Sequence, residues 1–342
     1  MTELIAHPGE SPATHQDMPA APPRPKLSIP RPLTFAYHRG GWAYALDALQ
    51  PLLKPGGVIL DPFFEATFCW DLEANQQSGE LPYRREWIGI IHNPPGIPEW
   101  HDFTSAPQVI FNLPAWRDSL PWCRGLYVFS QTMRVWTQPR VNVPVEALLH
   151  PTQPTSELFT MGKFLSNPTR RVIQVGSWLR RLHSIAMLSV TALRKTLLSP
   201  RPASDPRLQF LLKREATHDP AAKSADWSSV EFLAYQAPEE FDKLLSANLV
   251  FLDLYDTVVN NTVLECIVRQ TPVICNRLPA LVELLGDNYP LFFSDLREAA
   301  SKAEDMALIE QGYRHLSKIP ASRFSQSAFR DSVARGAIYQ GL

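Results

Sequence analysis

Short apolar runs separated by turn residues recur along the chain from residue 33 onward. Residues 33–37 are apolar, and they are followed by Gly40 and Gly41 and then by a helical pattern through Leu53. This order of strand, glycine turn and helix predicts the start of a parallel α/β unit. Four further runs end in turn or polar residues and are predicted to be strands buried on both faces, at residues 58–60, 87–91, 109–111 and 126–129.

A second series of apolar runs follows a polar stretch near residues 151–168, which contains several prolines. Strands are predicted at residues 172–175, 208–212, 230–234, 249–254 and 272–275, and helices at residues 181–198, 238–246 and 262–269. Strands that alternate with helices of this length imply right-handed crossovers and a parallel sheet. Residues 297–340 are mostly helix formers, so the chain is expected to close with helices.

These patterns predict an α/β protein with two facing Rossmann-like, doubly wound domains. We expect a mobile, extended, proline-rich arm at residues 1–32, a first domain at 33–165, a second at 166–325 and a C-terminal helix at 326–342. In two-lobed α/β proteins, ligands bind at the carboxyl ends of the strands, in the cleft between the lobes.

Composition supports a folded protein and disfavours some partners. The chain has 342 residues, of which 45% are hydrophobic and 20% charged, which is enough for two buried cores. Lys and Arg number 33 against 34 Asp and Glu, so the chain lacks the broad positive field that favours nucleic-acid binding.

The cysteines and the hydropathy pattern bear on the cellular compartment. Cys69, Cys123, Cys266 and Cys275 lie far apart, so neither a zinc site nor a disulfide framework is expected. We see no secretion signal and no run of 18 apolar residues, and we therefore expect a cytoplasmic protein. Membrane contact would be peripheral, through cations such as Arg194, Lys195 and Arg201.

Residues 244–286 carry the most specific chemistry. They predict a buried strand, a loop rich in Asp and Asn, and a helix capped by Asn261 or Thr262. A helix N-terminus at the mouth of a parallel sheet suits an anion such as a diphosphate. Glu265, one turn into the helix, is placed to accept hydrogen bonds from vicinal hydroxyls such as those of a ribose.

The order of motifs in this segment resembles the donor-binding half of GT-B glycosyltransferases, particularly the family 4-like group. The matching residues are Leu264-Glu265-Cys266, Gln270-Thr271-Pro272-Val273-Ile274, Pro279-Ala280 and Glu283. The resemblance implies that Glu265 holds the nucleotide ribose. Thr257 stands where the family has a glutamate that contacts the donor sugar, and Tyr255, Asp256 or Asn261 would replace that contact.

A second match opens the same domain. Residues 172–176 followed by Ser177-Trp178-Leu179-Arg180-Arg181 are similar to the family's strand, glycine and basic side chains that reach the donor diphosphate. The resemblance thus places Gly176, Ser177, Arg180 and Arg181 at the diphosphate and Lys213 near the base or a phosphate. Trp178, beside this loop, is the tryptophan best placed to stack on a sugar.

The first domain resembles the same superfamily less closely. Residues 87–91 followed by His92-Asn93-Pro94-Pro95 are similar to the strand end where family 4-like enzymes place a histidine near the donor sugar. Gly40 and Gly41 resemble the opening glycine loop, on the acceptor side. His92 and Glu265 are the catalytic candidates, and the matches together cover most of residues 33–295.

The resemblance implies a glycosyltransferase that uses a nucleoside diphosphate sugar as co-substrate, without a metal or other cofactor, and retains anomeric configuration. Asp253 and Asp256 do not have the spacing of a metal-binding Asp-x-Asp motif. One alternative is a catalytically silent sugar-nucleotide-binding or scaffold protein. A second is a nucleotide-sugar epimerase of the same fold, for which Asp61 and Glu65 are the candidate carboxylates. A dinucleotide-dependent oxidoreductase is disfavoured because no G-x-G-x-x-G follows a predicted strand.

Overall fold

The first sheet is built from parallel strands that pair in chain order. The structure, a computed structural model, describes residues 24–30, 41–199 and 202–342. Within them, the sheet order is β1-β2-β3-β4-β5. The strands are β1 (Leu27–Ser28), β2 (Val58–Asp61), β3 (Trp87–Ile90), β4 (Cys123–Val128) and β5 (Val145–Ala147), and the helices around them are α1 (Trp42–Leu49), α2 (Leu72–Gln77), α3 (Pro107–Ile110), α4 (Pro114–Ser119) and α5 (Gln131–Thr137).

The second sheet has six described strands in the order β11-β10-β9-β6-β7-β8, and its neighbouring strands are also parallel. The strands are β6 (Arg171–Val175), β7 (Arg194–Leu198), β8 (Val230–Leu233), β9 (Leu249–Leu252), β10 (Val273–Asn276) and β11 (Phe292–Phe293). The helices are α6 (Met161–Ser166), α7 (His183–Met187), α8 (Pro206–His218), α9 (Pro238–Ser246), α10 (Asn261–Arg269), α11 (Pro279–Leu285), α12 (Leu296–Glu304), α13 (Met306–Leu316), α14 (Gln326–Arg335) and α15 (Ala337–Gln340). The predicted fold class, two parallel α/β sheets, is confirmed.

Three predicted elements are wrong. Residues 208–212 lie inside α8, because the Asp205 side chain accepts from the backbone N–H groups of Arg207 and Leu208 and caps a helix that Pro206 starts. Residues 109–111 lie at the end of α3, which also begins at a proline. The helix predicted over residues 181–198 is helical only in α7, and its last residues form β7, paired on both edges. The strand predicted at residues 33–37 lies outside the described residues.

Within the described part of the predicted arm, residues 24–30, two residues form strand β1 of the first sheet. Leu27 is fully buried and pairs with Val58, and the Lys26 ammonium donates to the carbonyl of Tyr339 at 2.9 Å. The prediction of a mobile arm is therefore wrong for residues 27–28, because an apolar residue here completes the sheet edge. Residues 1–23 lie outside the described residues.

The two sheets have separate cores, and the end of the chain returns to the first one. Phe329 and Val333 of α14 and Ile338 and Tyr339 of α15 pack with Trp42 of α1 in one buried cluster. The sheets occupy residues 27–147 and 171–293. The boundaries expected at residues 33, 166 and 326 remain predictions.

The surface gives limited support for membrane contact. In the described ranges, no helix combines the length and apolar character needed to cross a bilayer. Lys195 is half-buried and its ammonium donates to the carbonyl of Ala186 at 2.6 Å, so it is not a free surface cation as predicted. Arg194 is exposed, and Arg201 lies outside the described residues.

Candidate functional site

A cavity of about 530 Å³ lies where the two sheets face each other. Its lining residues follow strands of both sheets, including Phe63 and His92 after β2 and β3, and Gly176 and Ser199 after β6 and β7. This is the carboxyl edge of each sheet, where parallel α/β folds bind ligands. The cleft predicted from the sequence is therefore present.

The wall from the second domain contains a half-buried arginine. The Arg180 guanidinium donates from Nε to the carbonyl of Val175 at 3.1 Å and from Nη2 to Oγ1 of Thr262 at 3.4 Å. Burial lowers the pKa of Arg180 to about 10, which leaves it cationic at neutral pH. Gly176 has a φ of +79°, and a Cβ there would lie 3.6 Å from the same guanidinium.

Arg180 meets the N-terminus of α10. Asn260 caps this helix, because its side chain accepts from the backbone N–H of Val263 at 3.3 Å. The predicted cap was Asn261 or Thr262, so that prediction is wrong by one residue, and Asn261 and Thr262 form the first turn. The first amides of a helix have no partner within the helix. Together with the guanidinium and the helix dipole, they make this corner of the cavity suited to an anion.

Glu265 lines the cavity one turn further along α10 and is buried. The helix is held by Arg269, whose guanidinium donates from Nε to Asp242 Oδ1 at 3.0 Å and from Nη1 to the carbonyl of Glu265 at 3.2 Å. Arg269 and Asp242 are themselves buried. The Glu265 carboxyl is thus presented on a rigid backbone beside the anion corner.

The loop before α10 links the two domains. Asp256 accepts through Oδ2 from the backbone N–H of Gly96 at 2.8 Å and through Oδ1 from that of Thr257 at 2.8 Å. The Thr257 hydroxyl donates to the carbonyl of Val259 at 2.8 Å. Both Asp256 and Thr257 line the cavity, and burial raises the pKa of Asp256.

The first domain contributes His92 to the cavity. Its Nε2 lies 3.0 Å from the carbonyl oxygen of Pro62, and because a carbonyl oxygen only accepts, Nε2 carries the proton. Burial lowers the pKa of His92 to about 3, so the imidazole is neutral and Nδ1 is an acceptor. Trp42, Phe63 and Phe129 surround the ring, with centroids 4.6, 4.4 and 5.2 Å away.

A buried carboxyl holds the loop that carries His92. Oε1 of Glu65 accepts from the backbone N–H groups of His92 at 2.8 Å and of Asn93 at 2.7 Å. Burial raises the pKa of Glu65 to about 8. Asp61, also buried, accepts from Thr67 and from Tyr83. Neither Asp61 nor Glu65 is among the lining residues.

The structure brings together eight of the predicted site residues and separates the others. The cavity is lined by His92, Gly176, Arg180, Asp256, Thr257, Asn261, Thr262 and Glu265. Ser177, Arg181, Lys213, Tyr255 and Gly41 lie outside the lining, and Gly40 lies outside the described residues.

Three of the separated residues have other partners or positions. The Arg181 guanidinium pairs with Asp253, at 3.4 Å from Nε to Oδ1, and lies over the Tyr255 ring. The Tyr255 hydroxyl donates to Glu215 at 2.7 Å. Lys213 is exposed on α8, which is a helix where a strand was predicted.

Sequence reasoning identified Trp178, which lines the cavity, but missed most of the other aromatic side chains of the lining. Trp42, Phe63, Trp70, His150 and Tyr235 all line the cavity. Phe63, His150 and Tyr235 lie within a few residues of a strand end, which is the signal that identifies them. Trp42 directly follows the predicted glycine turn.

Comparison with known proteins identifies the fold. No family model and no curated protein matches the sequence. A sucrose-phosphate synthase from Thermosynechococcus elongatus matches in structure with a TM-score of 0.59 and 14% identity, over 83% of this chain and 73% of that chain. The Anabaena protein HepE in complex with UDP-glucose has a TM-score of 0.57 and 14% identity, over 81% of this chain and 77% of that chain. A UDP-forming α,α-trehalose-phosphate synthase from Burkholderia xenovorans has a TM-score of 0.54 and 14% identity, over 87% of this chain and 77% of that chain. The chain has the GT-B fold of two facing Rossmann-like domains.

Proposed function

We propose that this protein is a glycosyltransferase that moves a sugar from a nucleoside diphosphate sugar to an acceptor bound in the cleft. The observation that carries the proposal is the half-buried Arg180 guanidinium at the N-terminus of α10, with the buried Glu265 one turn further along the same helix. These groups lie in the cavity between the two domains of a GT-B fold. The structural neighbours support it, since one is a complex with UDP-glucose and another is named as UDP-forming.

In this proposal the donor lies along the wall from the second domain. The diphosphate contacts the Arg180 guanidinium and the first amides of α10, and the absence of a Cβ at Gly176 leaves room for its oxygens. The Glu265 carboxylate accepts hydrogen bonds from the ribose hydroxyls. This distribution supports a nucleoside diphosphate in preference to a free phosphate, because it pairs an anion site with an acceptor of hydroxyl protons.

The transfer step needs stabilisation of the leaving group. The acceptor hydroxyl oxygen forms a bond to the anomeric carbon, and the bond from that carbon to the diphosphate oxygen breaks, with its electron pair leaving on the diphosphate. The hydroxyl proton passes to the departing diphosphate oxygen. Arg180 and the α10 dipole stabilise the charge that develops there. We propose that this requires no metal or other cofactor.

His92 would act from the first domain by orientation and not by proton transfer. Its neutral Nδ1 accepts a hydrogen bond from a donor-sugar hydroxyl, while Nε2 stays bonded to Pro62. A group with a pKa of about 3 is a weak base at neutral pH, so His92 is poorly suited to activate the acceptor for inversion. This supports transfer with retention, as in the family 4-like group that the sequence resembles.

The alternatives make different demands on the site. A nucleotide-sugar epimerase would need carboxylates in the first domain that reach the sugar, and Asp61 and Glu65 instead make internal hydrogen bonds behind the lining. A silent nucleotide-binding protein is favoured by Thr257, which replaces the family's sugar-contacting glutamate. Turnover separates this second alternative from an enzyme.

The test is calorimetric titration with UDP, GDP, CDP, ADP and dTDP, followed by assay of the sugar nucleotides of the base that binds. We expect one nucleotide to bind, and Glu265→Gln to weaken it about tenfold by removing a charged acceptor. Glu310→Gln, an exposed pair partner of Arg314, is the matched control. If no nucleotide binds, the transferase proposal fails. If a nucleotide binds but no sugar is released or transferred, the silent alternative is correct.

The proposal also covers the cellular compartment of the protein and one class of partner. The four cysteines are free thiols, which is usual in a reducing compartment, and we propose a cytoplasmic location with no nucleic-acid partner. Expression of a tagged chain and fractionation would test the compartment.

A further inference from the structure

Two exposed tryptophans, one from each domain, flank the cavity. Trp70 ends the π-helical segment Ala66–Trp70 and is 45% exposed, and Trp178 lies in the loop after β6 and is 38% exposed. Both line the cavity. Tryptophan is usually well buried, and π-helical segments often occur at functional sites. Two exposed tryptophans at one cavity, one of them in a π-helical segment, therefore indicate a ligand-binding surface.

The indole rings of Trp70 and Trp178 form a corner in the cavity, and other side chains hold both rings in place. Their ring centroids are 6.4 Å apart and their planes are 86° to each other. Nε1 of Trp70 donates to Asp102 Oδ2 at 2.9 Å, and the ring meets Phe63 edge-on at 5.3 Å. Trp178 meets the ring of His101 at 4.7 Å, also near perpendicular. Protein contacts alone hold the two rings in place. Ligand binding therefore costs little entropy for ordering these side chains.

The position of this corner relates it to the donor site. Trp178 is two residues before Arg180 in the same loop, and the Arg180 guanidinium donates to the carbonyl of Trp178. A ligand on the indole faces would thus lie next to the group that holds the diphosphate. Trp70 belongs to the opposite domain, so the corner is complete only when the domains face each other.

The exposed face of an indole matches the C–H face of a pyranose ring in size and polarity. Tryptophan offers a large, rigid apolar surface with few rotatable bonds, and its N–H is already occupied at Trp70. Such a surface recognises a neutral ring, and it offers nothing to a phosphate.

We propose that Trp70 and Trp178 form the acceptor subsite and that the acceptor is a neutral saccharide whose ring lies against these indoles. The inference rests on the proposed glycosyltransferase function and names its second substrate class. A phosphorylated sugar is the competing class, and the test distinguishes the two.

The experiment uses the full chain saturated with the nucleotide found by calorimetry, on a glycan array that carries neutral and phosphorylated saccharides. We expect neutral glycans to bind, and Trp70→Ala and Trp178→Ala each to weaken that binding about tenfold or more. Trp122→Ala is the matched control, because Trp122 is 41% exposed but does not line the cavity. Trp70→Phe should restore part of the binding, since it keeps an aromatic face.

Nucleotide titration of the same variants separates the two proposals. We expect nucleotide affinity to change less than threefold in Trp70→Ala, while saccharide binding falls. Loss of all nucleotide binding in the wild-type protein would remove the proposed function itself. With nucleotide binding intact, the subsite is wrong if only phosphorylated saccharides or none bind, or if the two alanine variants bind neutral glycans as well as Trp122→Ala does.

Discussion

Glu283 and Thr132 join the two domains directly. The Glu283 carboxylate, on α11, accepts from the backbone N–H groups of Thr132 and Gln131 at 2.6 Å each, and also from the Thr132 hydroxyl. It therefore caps the first turn of α5, while Ser130 accepts from the N–H of Met133 in the same turn. Glu283 belongs to the motif that resembles a donor-site loop, but it does not line the cavity. Its role here is to hold one domain against the other.

We expect Glu283→Ala to favour a more open arrangement of the domains. The capping bonds are exposed, so the loss is about 1 kcal/mol, which is about a fivefold change in the ratio of closed to open molecules. Small-angle X-ray scattering with and without nucleotide measures the change in the radius of gyration. Glu310→Ala, which removes an exposed carboxylate away from the domain contact, should leave the scattering unchanged. Identical curves for both variants would show that Glu283 does not stabilise closure.

Neighbouring arginines should differ in their effect on nucleotide binding. Arg180→Gln removes the cation at the N-terminus of α10, and we expect nucleoside diphosphate affinity to fall by about 10- to 100-fold. Arg181→Gln removes a cation paired with Asp253 outside the lining, and we expect a change below threefold. Calorimetry with the nucleoside diphosphate and monophosphate checks both. Equal losses in the two variants would contradict the assignment of the phosphate contact to Arg180.

Two glycines with similar backbone conformations offer a matched comparison. Gly176 has φ +79° with the Arg180 guanidinium 3.6 Å from a would-be Cβ, whereas Gly79 has φ +73° with nothing within 4 Å. Alanine at either site should cost about 1 kcal/mol of stability, because the left-handed region disfavours a side chain. Only Gly176→Ala should also weaken nucleotide binding. Thermal unfolding and calorimetry on both variants separate strain from the site effect, and unchanged affinity in Gly176→Ala would count against a diphosphate at this loop.

Glu65 predicts a pH dependence of stability. Burial raises its folded pKa to about 8 from 4.5, so the folded state keeps a proton that the unfolded state has lost. The stability from this group is complete below pH 4.5 and is lost as pH rises through 8. His92, with a lowered pKa, acts in the opposite direction, and its contribution is lost as pH falls from 6.5 toward 3.

The measurement uses the window from about pH 6.5 to 8.5, and the comparison with Glu65→Gln cancels the titration of unfolded His92 near its usual pKa of 6.5. The wild-type protein should lose about 1–2 kcal/mol of unfolding free energy across this window relative to Glu65→Gln, which cannot titrate. Urea unfolding at several pH values measures it. Glu73→Gln, at an exposed position on α2, should follow the wild-type curve. Parallel curves for Glu65→Gln and the wild type would mean that Glu65 does not hold its proton in the folded state.

The elements that the sequence predicted correctly are those whose signals are local. The strand before Gly176, the strand at Leu249–Leu252 and helix α10 each follow from apolar runs and turn residues within a short stretch. Glu265 is predicted from its position one turn into α10, whereas Arg180 is predicted from the family resemblance. Short apolar runs fit a buried helix face as well as a strand, which is why residues 208–212 were assigned to the wrong element.

The choice between Arg180 and Arg181 illustrates what depends on tertiary structure. Leu179 has a φ of +54° and is buried against Ile97 and Ala106 of the first domain. This packing offsets the strain of a left-handed leucine, and the chain turns so that Arg180 bridges to Leu254 and faces the cavity. Local sequence gives no sign of a positive φ at leucine.

The sequence by itself determined the class of fold, because hydrophobic period and turn residues act over a few positions. Tertiary structure decided which groups meet. The contacts of Glu283 with Thr132, of Trp70 with Trp178 and of Phe329 with Trp42 join residues far apart in the chain. The first two contacts form only when the two separate cores face each other, and the third only when the end of the chain returns to the first core. No spacing within one segment encodes either arrangement.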